Sequence, residues 1–350
     1  MKNTVLAAAA LATVLPLGAH AQSSVTLYGR LNIGVENYQF DSTPTRAGSR
    51  LTVMNSDASL WGVRGSEDLG GGLRALFKME AGFQADSGAV TSATQFFSRE
   101  SFVGLSSASA GTLLLGSQWA PGLWQSLRAD PFTRFGPGGQ PYITQGVRGY
   151  TLRYDNAIQY ITPNFSGLSG RVIYAFGEGQ PTGKGVAASV DYSKGPLYLG
   201  AFHEQGRTAA ASVGLTGAAV TSKTTSVAAT YDFGAVKLHG QYQRNRVERV
   251  ASNVSAYLVG VTVPAGPGKI KASYIHRDAV NADAKVFGVG YEYPLSKRTQ
   301  LLATVAKLKN QGTAAFRVGP ALAEQGALGA AGPGPGQGAT AINFAIMHSF

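Results

Sequence analysis

Leu27-Tyr28-Gly29-Arg30-Leu31-Asn32-Ile33-Gly34-Val35-Glu36 decides the fold. Its odd positions carry Leu27, Gly29, Leu31, Ile33 and Val35, and its even positions Tyr28, Arg30, Asn32, Gly34 and Glu36. Successive side chains of an extended chain point to opposite faces, so this period of two is a strand with one apolar and one wet face. The same alternation returns in Ala75, Phe77 and Met79 against Arg74, Lys78 and Glu80. It recurs in Val227-Ala229-Tyr231, Val236-Leu238, Val259-Val261-Val263 and Phe287-Val289-Tyr291-Tyr293. A helical stripe is suggested only in the first twenty residues and in part of 120–130, so the chain is nearly all β.

The connections alternate in length. Tight ones occur at Gly65–Gly72, Ser109–Gly111, Asn164–Gly167, Lys194–Pro196, Asp232–Gly234, Pro264–Pro267 and Pro294–Lys297. Longer polar or glycine-rich segments lie near 37–50, 87–95, 120–148, 178–184, 206–223, 247–254, 278–284 and 310–339. Seven short turns and eight long loops join about sixteen strands of roughly ten residues, the plan of a membrane barrel with short turns on one rim. A soluble sandwich or propeller does not sort its loops this way. Aromatic residues gather beside the short turns (Tyr231 and Phe233, Tyr291 and Tyr293, Tyr160 and Phe165), as a membrane interface favours. The last strand sets Ile342, Phe344, Ile346, His348 and Phe350 on one face. Pairing it with the first removes both sheet edges, which hydrocarbon does not tolerate open.

Composition agrees. Glycine numbers 46, charged residues make up 14% and aromatics 10%, a balance that excludes disorder, and the glycines lack the collagen period. No later stretch approaches 18 consecutive apolar residues, which excludes a bundle of membrane helices but leaves a barrel open. Met1-Lys2-Asn3, the apolar run Val5–Leu17 and Ala19-His20-Ala21 read as a secretory signal peptide over 1–21, with Gln22 beginning a 22–350 barrel domain. Cysteine is absent, so this exported chain relies on closed backbone hydrogen bonding rather than disulfides.

Ser24-Val-Thr-Leu-Tyr-Gly-Arg30, Trp61-Gly-Val-Arg-Gly-Ser-Glu-Asp-Leu-Gly-Gly-Gly-Leu-Arg74, Phe102-Val-Gly-Leu105 and the terminal Phe350 resemble the trimeric general-diffusion porins of Gram-negative outer membranes, especially the β-proteobacterial branch. The resemblance spans the mature chain. It implies a sixteen-stranded antiparallel barrel, a homotrimer, a third loop folded into the lumen and passive passage of small hydrophilic solutes and ions. It also implies that the barrel-assembly machinery recognises the strand ending in Phe350, and that outer-membrane lipid and lipopolysaccharide are neighbours.

The resemblance places 120–148 as the constriction loop, its Arg134-Phe135-Gly136-Pro137-Gly138-Gly139 resembling the family's Phe-Gly-Gly tip with an added proline. Arg30 and Arg153 match arginine positions of the wall. Leu60 and Ser117 stand where arginine is usual, and Arg128 and Arg134 stand where acids are frequent, although Asp130 remains. Alternation alone puts Arg30, Arg64, Arg74, Lys78, Arg153, Lys237, Lys269 and Lys271 on the wet face, opposed by Glu36, Glu80, Asp155, Asp191 and Glu292. Low-dielectric walls focus this basic excess on a pore, so mild anion preference is expected. Basic rims that bind lipopolysaccharide are the other account of the net charge of +11.

Three functions follow in descending order: a passive porin, a substrate-selective channel of the same fold for organic acids or sugars, and a barrel-borne hydrolase with a Ser–His pair on its outer face. His203, His239, His276 and His348 are scattered, without a His-x-x-x-His pair, and no Gly-x-Ser-x-Gly elbow occurs. Gly334–Gly338 reads as flexible low-complexity loop rather than a phosphate cradle, and Glu67-Asp68 as a turn cap. Basic residues scattered along strands of one parity, in an exported chain, argue against nucleic acid. No cofactor, metal or covalent chemistry is expected.

Overall fold

The computed structural model describes residues 24–319 and 332–350. The signal peptide and cleavage site expected from the sequence therefore lie outside the described residues. The first six strands are β1 (Ser24–Phe40), β2 (Ser49–Ser56), β3 (Leu60–Gly70), β4 (Leu73–Gly82), β5 (Glu100–Ser107) and β6 (Gly111–Trp119). Two helices follow, α1 (Pro121–Ala129) and α2 (Pro141–Thr144), before β7 (Arg153–Ile161), β8 (Leu168–Ala175) and β9 (Gly185–Lys194). Then come β10 (Leu197–Thr208), β11 (Val220–Asp232), β12 (Lys237–Val247), β13 (Val254–Ala265) and β14 (Gly268–Ala279). The last are β15 (Ala284–Pro294), β16 (Thr299–Asn310) and β17 (Ala339–Ser349).

Each strand pairs antiparallel with its neighbours, and β17 returns to β1, from Arg30 opposite Ser349 to Phe40 opposite Ala339. The seventeen segments form a closed sixteen-stranded barrel, because β2 and β3 are one barrel strand broken at Asp57-Ala58-Ser59. β2 pairs with the second half of β1 and β3 with its first half. At the break Asp57 N–H donates to Asn32 O (3.0 Å), and Ser59 Oγ accepts the Asn32 N–H (3.0 Å) that the interrupted ladder would strand.

The alternation is realised as expected. Outward positions such as Leu27, Val35, Val103, Val172, Val227, Phe287 and Phe344 leave large apolar side chains exposed, which is stable only against lipid. Inward positions hold buried polar residues including Asn32, Glu36, Gln159, Thr224, Ser226, Gln241 and Ser273. Beside the short turns, Tyr231 meets Phe233 at 4.5 Å and Tyr291 meets Tyr293 at 6.3 Å between ring centroids.

Two local expectations change. The first tight turn begins at Gly70, since Ser66, Glu67 and Asp68 still pair with Leu76, Ala75 and Arg74. Gly70, Gly71 and Gly72 have φ of 82°, 60° and 79°, a left-handed run that residues with a Cβ resist, and Asp68 Oδ1 caps it by accepting Gly70 N–H at 2.9 Å. Gly334–Gly338 is packed rather than loose. Gln337 is fully buried, donates to Asp41 O (2.7 Å), accepts Gly334 N–H (3.0 Å) and receives Asn310 Nδ2 on its carbonyl (2.9 Å). A residue whose side-chain amide holds two backbone partners and whose carbonyl holds a third group outweighs the glycines' freedom.

Candidate functional site: the neck of the lumen

The segment between β6 and β7 folds against the inner wall, and the wall's polar residues explain why. Ser226 Oγ donates to Gln125 Oε1 (2.5 Å), His239 Nδ1 lies 3.2 Å from Ala129 O, and Ser273 Oγ donates to Gly138 O (2.7 Å). Arg277 donates to Ile143 O (3.0 Å), Gln243 to Thr144 O (2.9 Å) and Thr224 to Gly149 O (2.8 Å). These donors come from inward positions of β11, β12 and β14 and satisfy loop carbonyls that would otherwise be buried bare. On the far side the strand break supplies Asp57, whose Oδ2 accepts Gly136 N–H at 2.8 Å. The wall is cut back beneath the loop: a Cβ on Gly288 would stand 2.6 Å from Gly138 Cα, and one on Gly290 would stand 2.8 Å from the Phe132 ring.

Within the loop Asp130 is the organising residue. It is 2% exposed and accepts the backbone N–H groups of Phe132 (2.9 Å) and Gln140 (2.8 Å). Burial pushes its carboxyl up to about 6, against the opposing pull of those N–H groups, Arg134 and Lys271. Arg134, with φ of 73°, reaches across the loop to Ser126 (2.9 Å), Tyr150 and Gln145 (2.6 Å).

Two cavities meet at this loop. One, of about 540 Å³, is bordered by Arg30, Arg99, Arg134 and Arg317 together with Trp119, Phe135 and Asp57. The other, of about 580 Å³, is bordered by Arg128, Lys237, Lys269 and Lys271 with Asp130 and Asp232. Leu127 and Thr133 border both, so the two cavities adjoin at this part of the loop, here called the neck. Several guanidiniums lie on aromatic faces: Arg30 over Phe135 at 4.7 Å, Arg99 over Trp119 at 5.0 Å and Arg128 over Tyr198 at 5.1 Å.

Of the residues expected at the pore, the structure gathers Arg30, Arg128 and Arg134 around this neck. Lys78 and Glu80 sit on the wall in a neutral cluster: Glu80 binds Arg99 (2.7 Å), Lys78 (3.2 Å) and Tyr28 (2.8 Å), and Lys78 also pairs with Glu100. Arg64 lies over the Tyr28 ring at 5.0 Å, and Arg74 is exposed near the short-turn rim, opposite Asp68.

Three placements differ from expectation. Asp130 is turned into the loop, away from lumen water, because two backbone N–H groups claim it. Arg153 and Asp155 leave the lumen face: the β6–β7 register shifts between Gly116 and Gln118, and Tyr154 between them packs with inner-wall Ala157, Ile173 and Ala187. The pair instead joins a rim network in which Asp155 accepts from Ser117 (2.5 Å) and Gln95 (2.9 Å), and Arg153 donates to Gln95 (2.9 Å) and Ser98 O. A bulge inverts parity without leaving a mark in the hydrophobic pattern. Sequence reasoning missed Asp57, Arg99 and Arg317, which lie in a strand break, at a strand start and in a long loop, where alternation carries no signal.

The profile of Gram-negative porins matches residues 7–313. The chain is 33% identical over 371 residues to outer membrane porin protein 32 of Delftia acidovorans, with all of both chains covered. It is 30% identical over 370 residues to an outer membrane porin protein of Bordetella pertussis, covering 89% of this chain and 95% of that one. Among solved structures, the anion-selective porin from Comamonas acidovorans aligns with a TM-score of 0.77 at 28% identity, over 94% of this chain and all of that one.

Proposed function

The chain belongs to the Gram-negative porin family and is an outer-membrane channel; from that premise we propose that it passes small hydrophilic solutes and ions by diffusion, with mild anion preference. One observation carries the selectivity: eight basic side chains border the two cavities at the neck against three acidic ones, of which Asp130 is buried, and an excess remains after Arg99 pairs with Glu80 and Lys271 with Glu292. An anion passing from one cavity to the other meets positive potential on both sides, while a cation meets the same barrier twice. The 120–148 segment sets the size limit by narrowing the lumen, and the charges on and around it set the ion bias. The Comamonas acidovorans porin with which it aligns over nearly its whole length is anion-selective.

Assembly as a homotrimer is part of this proposal, as are lipopolysaccharide contact at the outer rim and recognition of the Phe350-bearing strand by the barrel-assembly machinery. Phe350 exchanges two backbone hydrogen bonds with Gly29 (3.2 and 3.1 Å), which makes it the last rung of the closing seam. The test of selectivity is the zero-current potential in planar bilayers under a KCl gradient. The sign for chloride is expected, and the sign for potassium refutes the proposal.

Selective uptake of organic acids is the second reading, favoured by guanidiniums held flat on Phe135 and Trp119 beside the neck. A guanidinium is less hydrated than an ammonium and matches the geometry of a carboxylate; Arg99 also binds Glu80 and Arg30 also donates to Ala58 O. Liposome swelling separates the readings, since rates that saturate for one acid contradict simple diffusion. The hydrolase reading gains nothing from the geometry. His203, His276 and His348 hydrogen-bond Thr225, Tyr257 and Thr299, and His239 bonds Thr262 and Ala129 O.

A further inference from the structure

We propose that the outer face of β10–β12 carries a binding site for the phosphorylated headgroup of a lipid in the outer leaflet. Lys223, Arg244 and Arg246 border a cavity of about 430 Å³ together with His203, Thr225 and Tyr242. They point away from the lumen. Thr225 is opposite Arg244 and Lys223 opposite Arg246, in the same register that pairs Val227 with Tyr242, and those two are 53% and 46% exposed on the lipid-facing side. The inward residues of the same strands, Thr224, Ser226, Gln243 and Asn245, are buried and uncharged, so these cations are not part of the pore.

Height is set by the strand. Tyr231 stands at the short-turn rim, and Lys223 lies eight residues away along β11. At about 3.3 Å per residue and a tilt near 40°, that is roughly 20 Å along the membrane normal, which puts the cations at the far edge of the apolar band. Leu199, Val227 and Leu238 below them offer an apolar path for acyl chains.

Among the described residues the site has no internal counter-charge. Like charges directly opposite on neighbouring strands repel, yet Lys223 faces Arg246. Among the described residues no ion pair engages Lys223, Arg244 or Arg246. The acid at this rim, Glu248, accepts Thr221 N–H at 3.1 Å and faces Arg207 and Arg249. A phosphate is the group that fits: it takes forked N–H donors from two arginines and the ammonium of Lys223 at once.

This inference rests on the outer-membrane placement, with the long loops outward, and is independent of ion selectivity. Its test is native mass spectrometry of the full protein in detergent, titrated with diphosphoryl lipid A. The comparison protein carries Lys223→Gln, Arg244→Gln and Arg246→Gln together. Removing each cation is expected to weaken binding roughly fivefold, on the order of a hundredfold in the triple variant. Arg244→Lys with Arg246→Lys keeps the charge and stays within a few-fold of wild type. Equal binding by wild type and triple variant overturns the proposal, as does equal binding of dephosphorylated lipid A to wild type. Displacement of the lipid by millimolar inorganic phosphate makes the site one for free phosphate and overturns the lipid assignment. Heat-resistant migration on gels checks that the triple variant folds, and if it does not, Lys223→Gln alone must show its fivefold loss. Single-channel conductance of the variants stays at the wild-type value, so failure here is distinguishable from failure of the pore reading.

Discussion

Arg128→Glu is the sharpest probe of the neck. Arg128 is exposed in the lumen one residue from Leu127, so water screens it and the bulk dielectric applies. An ion passing roughly 6 Å away feels about 0.7 kcal/mol from one unit charge in water, reduced to about 0.3 kcal/mol by a screening length of about 8 Å at physiological salt. Charge reversal changes the local charge by two units and acts with opposite sign on anion and cation. The chloride-to-potassium preference therefore moves by about 1.3 kcal/mol, close to tenfold. Arg128→Gln should give half that free energy, about threefold.

The assay is the reversal potential in planar bilayers with a threefold KCl gradient centred near physiological strength. The same measurement near 1 M salt is an internal control. There the screening length falls to about 3 Å, and the shift for Arg128→Glu should shrink to about twofold. Loss of the stacking contact with Tyr198 would alter both variants equally and would not track salt. A preference that moves less than twofold at physiological salt, or by the same factor at both strengths, refutes electrostatic control at this position.

Gly288→Leu adds a Cβ that would stand 2.6 Å from Gly138 Cα, so the loop is pushed towards the lumen. Single-channel conductance should fall, with an overpacking cost of about 1–3 kcal/mol seen in thermal unfolding, and unchanged conductance contradicts the placement of the loop. The raised proton affinity of Asp130 in the packed loop has a defined sign: its contribution is full below the ordinary carboxylate value of 3.8 and is lost as pH rises through about 6. Hydrogen exchange at 130–140, corrected for intrinsic rates, should therefore show more protection at pH 5 than at pH 8, and Asp130→Asn should flatten that dependence. Phe350→Ala removes the ring that fills the notch over Gly29, where a Cβ would lie 2.3 Å from its Cζ. Because the ring is half-exposed, the loss should be about half the ~3–5 kcal/mol of a buried phenylalanine, read by heat-dependent gel migration.

Alternation is a property of one strand at a time, which explains both what it reveals and where it fails. Wherever a strand runs unbroken, the parity of residues such as Arg30, Lys78 and Lys271 follows from their neighbours, because a one-residue slip would expose a polar face to lipid. At the β6–β7 bulge that constraint lapses. The outward side chains near the rim no longer meet hydrocarbon, so Asp155 and Arg153 tolerate a register that their spacing argues against. The inner wall is legible only in part, for a different reason. Thr224, Ser226, Gln243 and Ser273 read as wet-face residues, but their partners belong to a loop roughly a hundred positions distant. Nothing local distinguishes a hydroxyl that faces water from one that holds Gly138 or Gly149. The acid and the bases of the loop part for the same reason. Asp130 is drawn inward by backbone N–H groups that exist only once the loop has closed, leaving Arg128 and the wall lysines to face the solute. The anion preference proposed for this barrel thus depends as much on where its loop buries a carboxylate as on how many cations the strands supply.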